Sequence, residues 1–86
     1  MDIKILGTGC SRCKELFLNT IKAVENLGIT ANTKVEKIED INKIMDYNVI
    51  TMPVLVLDEK IIAKGKVLTV SEIELILRNK IVKSKD

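Results

Sequence analysis

The chain has 86 residues, of which 47% are hydrophobic and 30% are charged, and its formal net charge is +2. This length predicts one domain, residues 1–86, with a single core, and the composition excludes a disordered or membrane-embedded chain. The near balance of charges argues against nucleic-acid binding, and neither a signal peptide nor a spanning segment is evident. We therefore expect a cytoplasmic protein that binds neither nucleic acid nor membrane.

The first half of the chain predicts two strands separated by a long helix. Residues 2–6 form a short apolar run, which predicts a buried strand. Between residues 11 and 27, apolar side chains recur at steps of three and four, which predicts an amphipathic helix closed by Gly28. Residues 29–38 alternate loosely between apolar and polar, so they predict a second strand at an edge of the sheet.

The second half predicts the remaining elements of an α/β fold. Glu39 and Asp40 open a short helix that ends at a left-handed Asn48. Residues 54–57 predict a central strand, residues 58–60 a tight turn, and residues 61–63 the returning strand. The last helix should begin with a capping box, in which Ser71 is the N-cap and the side chain of Glu74 reaches back to it. The basic end of that helix, residues 79–86, should be a frayed and solvated tail. The order β-α-β-α-β-β-α predicts a four-stranded mixed sheet with helices on both faces.

The strongest chemical signal is the pair Cys10 and Cys13, at the junction between the first strand and the first helix. One helical turn brings two such sulfurs close enough to form a bond. Cys10 lies at the helix N-terminus, where unpaired N–H groups, the helix dipole and the charge of Arg12 beside Ser11 should stabilise its thiolate. We therefore expect Cys10 to be the exposed nucleophile of disulfide exchange, and the more buried Cys13 to be the resolving cysteine.

These features together resemble the thioredoxin superfamily: an opening strand, a Gly-Cys-x-x-Cys turn, a long helix, and Thr51-Met52-Pro53 before an apolar strand. The chain is most similar to the small archaeal and bacterial thioredoxin-like proteins called redox-active disulfide proteins, which have the size of glutaredoxins. The resemblance implies a minimal thioredoxin fold and a thiol–disulfide oxidoreductase. It also implies that the Met52–Pro53 bond is cis, that Pro53 packs beside the cysteines, and that Met52 offers its backbone to an extended substrate.

The resemblance leaves the redox partners open. Ser11-Arg12 stands where thioredoxins carry Gly-Pro, and of the glycine pair with which glutaredoxins bind glutathione only Gly65 is present. We expect a disulfide-containing protein or small molecule as substrate and an unidentified thiol reductant or reductase as partner. The expected cofactor is none beyond the Cys10–Cys13 disulfide, and the expected oligomeric state is a monomer.

The alternative hypothesis for the same two cysteines is a site that binds a soft metal ion. The loop from Gly9 to Cys13 before a helix also resembles the metal-binding loop of small copper chaperones, and two thiolates suit Cu(I). Those domains end in a strand, whereas this chain is predicted to end in a capped helix. The sequence therefore favours redox chemistry and leaves Cu(I) binding as the second hypothesis.

Overall fold

The computed structural model describes residues 1–8, 11–49 and 51–84, with the backbone alone for 81–84. Its elements in chain order are β1 (Asp2–Leu6), α1 (Ser11–Asn26), a short 3₁₀ turn (Thr30–Asn32), β2 (Lys34–Ile38), α2 (Ile41–Met45), β3 (Val54–Leu57), β4 (Lys60–Lys64) and α3 (Val70–Ser84). The predicted order of strands and helices is confirmed. The last helix continues to Ser84, and the expected fraying of residues 79–86 stays a prediction.

The four strands form one mixed sheet in the order β2-β1-β3-β4. β1 and β2 pair in parallel because α1 forms the crossover between them, whereas β3 runs antiparallel to both β1 and β4. The four residues of β3 are all buried, and β2 lies at an edge of the sheet, as predicted. The end of β1 at Leu6 pairs with the start of β3 at Val54, and α1 begins a few residues after Leu6.

The alternation of side chains along β1 divides the core between the two faces of the sheet. Ile3 and Ile5 belong to a cluster with buried residues of α1 and α3: Leu16, Ala23, Val24, Ile73 and Leu77. Leu6 points to the other face and belongs to a cluster around Ile44 of α2. Each fully buried side chain of this kind contributes about 1.5–3 kcal/mol, so helix packing stabilises the sheet from both faces.

The predicted strand at 29–38 is wrong in its first half. Gly28 has φ +68°, its amide donates to the Glu25 carbonyl, and the amide of Ile29 donates to the Val24 carbonyl. This Schellman motif ends α1 at the predicted glycine and turns the chain directly into the 3₁₀ segment. Local backbone hydrogen bonds therefore outweigh the weak alternation in this stretch, and the strand begins at Lys34.

The cap of α3 is also displaced from its predicted position. The hydroxyl of Thr69 accepts from the amide of Glu72, and the Glu72 carboxylate accepts from the amide of Thr69, which is a complete capping box. Ser71 therefore lies inside the helix and is not its N-cap. Glu74, expected to reach back, instead accepts a hydrogen bond from Asn26 of α1.

Two other predicted chain reversals are confirmed. Asn48 follows α2 with φ 57°, a left-handed conformation, and the side chain of Asp40 caps the start of α2 by accepting from the amide of Asn42. Asp58 and Glu59 both have positive φ, as the turn of a tight hairpin between twisted strands requires. Because that turn uses two residues, Lys60 already pairs with Leu57 and belongs to β4.

Candidate active site

Cys13 lies in the first turn of α1 and is fully buried, as its place at the start of the apolar face predicts. Its sulfur packs against the main chain of Gly7, one residue beyond β1. A Cβ built on Gly7 would lie 2.1 Å from Cys13 Sγ and 2.9 Å from Cys13 Cβ. Since the Gly7 amide is also bonded to the Ile38 carbonyl, any side chain at this position would collide with the sulfur.

Cys10, together with Gly9, lies outside the described residues. Its exposure, its thiolate character and its distance from Pro53 therefore stay predictions. Ser11 begins α1 and is exposed, and Arg12 is exposed beside it. Helix α1 thus starts directly after Cys10, the arrangement on which the predicted stabilisation of a thiolate depends.

The Met52–Pro53 bond is cis, as the resemblance implied. Pro53 is fully buried next to the start of β3, and Met52 is half-buried against the cluster around Ile44. The Thr8 hydroxyl lies 4.0 Å from the sulfur of Met52. The loop that follows β1 and leads to the cysteines therefore touches the loop that precedes β3.

Gly65, one residue beyond β4, is hydrogen-bonded to both Pro53 and Arg12. Its amide donates to the Pro53 carbonyl (2.7 Å), which extends the β3–β4 pairing by one step, and its carbonyl accepts from Arg12 Nη2 (3.0 Å). Gly65 has φ +67°, and a Cβ there would lie 2.3 Å from Cγ2 of Thr51. The position therefore requires glycine for both its conformation and its close packing.

The structure thus brings together four of the six predicted site residues through contacts with shared neighbours. Arg12 and Pro53 are linked through Gly65, and Cys13 and Met52 each contact the Gly7-Thr8 segment. The contributions of Gly7, Thr8, Thr51 and Gly65 were missed. Gly7 and Gly65 each follow a predicted strand, and that position was the available signal, because a glycine there permits close approach of another segment.

A cavity of about 380 Å³ lies elsewhere, on the α2 face of the sheet. There the ammonium of Lys4 donates to the Glu59 carboxylate and to the Tyr47 hydroxyl. The pKa of Lys4 is raised, chiefly by the hydrogen bond to Glu59 and further by the one to Tyr47. The hydrogen bond from Lys4 lowers the pKa of Glu59, and desolvation opposes this shift. Of the predicted site residues that the structure describes, none lines this cavity.

Two properties of the described residues bear on other functions. Residues 1–8, 11–49 and 51–84 contain no group of three or more Cys, Asp or Glu side chains placed to hold a metal ion. Among the same residues, no helix has the length and apolar character needed to cross a membrane.

Comparison with known proteins identifies similar chains. Residues 1–78 match the family model described as Thioredoxin domain. A protein named thioredoxin from Methanocaldococcus jannaschii is 40% identical over 72 residues, covering 84% of this chain and 80% of that protein. A second protein named thioredoxin, from Methanothermobacter thermautotrophicus, is 38% identical over 77 residues, covering 90% of this chain and 97% of that protein.

Proposed function

Because the chain belongs to the thioredoxin domain family, whose members are thiol–disulfide oxidoreductases, we propose that it reduces protein disulfides through Cys10 and Cys13. In the first step the Cys10 thiolate attacks one sulfur of a substrate disulfide. A mixed disulfide forms, and the leaving thiolate takes a proton from solvent. In the second step Cys13 loses its proton and attacks the Cys10 sulfur, which releases the second substrate thiol.

Two electrons pass to the substrate in this cycle, and the protein is left with a Cys10–Cys13 disulfide. An external thiol reductant or reductase returns both cysteines to thiols, and no further cofactor is needed. We assign this chemistry to a monomer in the cytoplasm, where thiols are kept reduced. A disulfide-bearing small molecule is a second possible substrate class for the same exchange.

The observation that carries the proposal is the burial of the Cys13 sulfur against Gly7 at the first turn of α1. A bulky substrate disulfide cannot reach a sulfur with no exposed surface. In this proposal the Cys10 sulfur, three positions earlier in the chain, is the one that Cys13 attacks. The burial therefore supports a resolving role for Cys13, and with it an attacking role for Cys10.

Substrate binding is assigned to Met52 and Pro53. In this proposal an extended peptide pairs with the backbone of Met52, in the loop that precedes β3, in the manner of an added strand. The contact between Thr8 and Met52 supports this assignment, because it brings the segment leading to the cysteines beside the proposed binding segment. Ser11 and Arg12, exposed at the start of α1, are assigned to stabilising the Cys10 thiolate.

Cysteine variants test the proposal directly. Cys13→Ser should attack a disulfide-bridged peptide and accumulate a stable mixed disulfide, whereas Cys10→Ser should form no adduct. Intact-mass measurement after incubation with the peptide distinguishes the two. A stable adduct on Cys10→Ser alone would reverse the assignment of the two cysteines.

The Cu(I) hypothesis is tested on the same preparation. If neither variant forms an adduct, if the wild type is inert, and if the reduced protein binds one Cu(I) per chain or per two chains, metal binding replaces disulfide exchange. Titration with Cu(I) in the presence of a competing chelator measures that stoichiometry. Exchange activity without stoichiometric metal after purification is the expected result.

A further inference from the structure

Gly65 is held by three contacts. Its carbonyl accepts a hydrogen bond from the Arg12 guanidinium, and its amide donates to the Pro53 carbonyl. Its Cα packs so closely against Thr51 that a Cβ would lie 2.3 Å from the threonine methyl. Gly65 therefore connects Arg12, one of the two residues between the cysteines, to the loop that ends at the cis Met52–Pro53 bond.

The contact made by Arg12 joins two segments that are 53 positions apart in the chain. A guanidinium is planar and presents its donors in a fixed fork, so its hydrogen bond fixes an orientation as well as a distance. Gly65 is already confined by its positive φ and by Thr51. Arg12 supplies the remaining restraint, which ties the start of α1 to the end of β4.

We propose that Arg12 is a positioning residue for substrate. By holding the Gly65 carbonyl, and through the Gly65 amide the Pro53 carbonyl, Arg12 fixes the Met52–Pro53 segment that receives an extended, disulfide-bearing peptide. The inference rests on the proposed function and adds to it a preference for peptide over small-molecule disulfides. A binding segment that is ordered beforehand lowers the entropic cost of pairing with an extended peptide, and a small disulfide does not pair with that segment.

This role differs from stabilisation of the Cys10 thiolate by charge. A charge effect alters the attacking thiolate and so changes the rates with all disulfides by the same factor. It is also retained by lysine, which carries the same charge. A positioning effect changes the ratio of peptide to small-molecule rates. Lysine does not restore it, because its side chain is shorter and its ammonium is a flexible point charge that does not hold a donor at the position of Arg12 Nη2.

The test compares Arg12→Lys and Arg12→Gln with wild type on two substrates, a disulfide-bridged peptide and hydroxyethyl disulfide. The measured quantity is the ratio of kcat/KM for the peptide to kcat/KM for the small disulfide. We expect both variants to lower this ratio about tenfold, through a higher KM for the peptide. Arg78→Gln, which removes an exposed arginine on α3 that pairs with Glu74, should keep the wild-type ratio.

Two further measurements separate the possible outcomes. Hydrogen exchange at the Gly65 amide should accelerate in both Arg12 variants, and the pH profile of Cys10 alkylation should stay closer to wild type in Arg12→Lys than in Arg12→Gln. A wild-type substrate ratio in Arg12→Lys would overturn the inference and leave Arg12 with a charge effect alone. A wild-type protein inert towards both disulfides would overturn the proposed function, and the inference with it.

Discussion

Replacing Gly7 with alanine should displace the sulfur of Cys13. The added Cβ would lie 2.1 Å from that sulfur, whereas non-bonded atoms of this size prefer separations of about 3.5–4.0 Å. At least about 1.4 Å of overlap must be relieved. Little can give way, because Cys13 is fully buried and the Gly7 amide is bonded to the Ile38 carbonyl.

The cost follows from the tight packing of this region. Inserting one methyl group into a well-packed core destabilises a protein by about 1–3 kcal/mol. For a domain of this size, each kcal/mol lowers Tm by about 4–8 °C, so Gly7→Ala should melt about 8–16 °C below wild type for a cost of about 2 kcal/mol. The displaced sulfur should also resolve mixed disulfides more slowly.

The assay combines thermal unfolding of the reduced protein with the lifetime of the mixed disulfide formed with a bridged peptide. Gly28→Ala is the matched control. Gly28 has φ +68° but no atom within 4 Å of a built Cβ, so alanine there introduces only the left-handed strain of about 1–2 kcal/mol. This control should melt earlier than wild type while keeping the wild-type lifetime of the mixed disulfide.

Two results would refute this reasoning. A Gly7→Ala protein with wild-type Tm would show that the methyl group is accommodated without displacing Cys13. A lower Tm combined with an unchanged mixed-disulfide lifetime, as in Gly28→Ala, would show that the contact between Gly7 and Cys13 stabilises the fold but does not position the resolving sulfur.

Three further predictions concern the rest of the fold. Thr69→Ala should lower the stability by about 1 kcal/mol in denaturant unfolding through loss of the α3 cap, whereas Ser71→Ala should change it by less than about 0.5 kcal/mol; equal effects would contradict the capping box. Gly65→Ala should be destabilising, and Thr51→Ser, which removes the colliding methyl, should recover part of the loss, so additive effects in the double mutant would exclude that collision. Glu59→Gln should decrease the loss of Tm that acidification below pH 4.5 causes, where 4.5 is the ordinary pKa of a glutamate carboxyl. The pKa of Glu59 is lowered in the folded protein, so the ionised carboxylate stabilises the fold above pH 4.5, and this stabilisation is lost as the pH falls through the folded pKa. Equal acid slopes for variant and wild type would contradict the last prediction.

The sequence predicted the order of the elements because each long element has a clear period or an unambiguous end signal. The helix from Ser11 to Asn26 repeats apolar residues over many turns, and β3 is an unbroken apolar run. The stretch at residues 29–33 failed because its alternation was weak and hydrogen bonds after Gly28 decided its conformation. The α3 cap failed because Thr69 and Ser71 each precede an acidic residue by three positions, so spacing alone could not choose between them.

The candidate site was predictable only where its chemistry is local. The spacing of Cys10 and Cys13, and the place of Pro53 before an apolar strand, are visible in the sequence. The contacts of Gly7 with Cys13 and of Arg12 with Gly65 join segments that meet only when the sheet has formed. No local period or capping signal encodes such contacts. The place of each glycine after a strand indicates a close approach, but only the three-dimensional structure shows which segment approaches.

The central place of β1 has a consequence for the order of folding during synthesis. β1 precedes both of its neighbouring strands in the sequence. The amide of Asp2 donates a hydrogen bond to the carboxylate of Asp58, 56 positions later. A nascent chain that ends before β3 can pair β1 with β2 but leaves the other edge of β1 open, together with part of its apolar face. Open strand edges invite pairing with other chains, and closing so long a loop is slow. The end of β1, from which the chain enters the cysteine turn, is therefore enclosed only after β3 has left the ribosome.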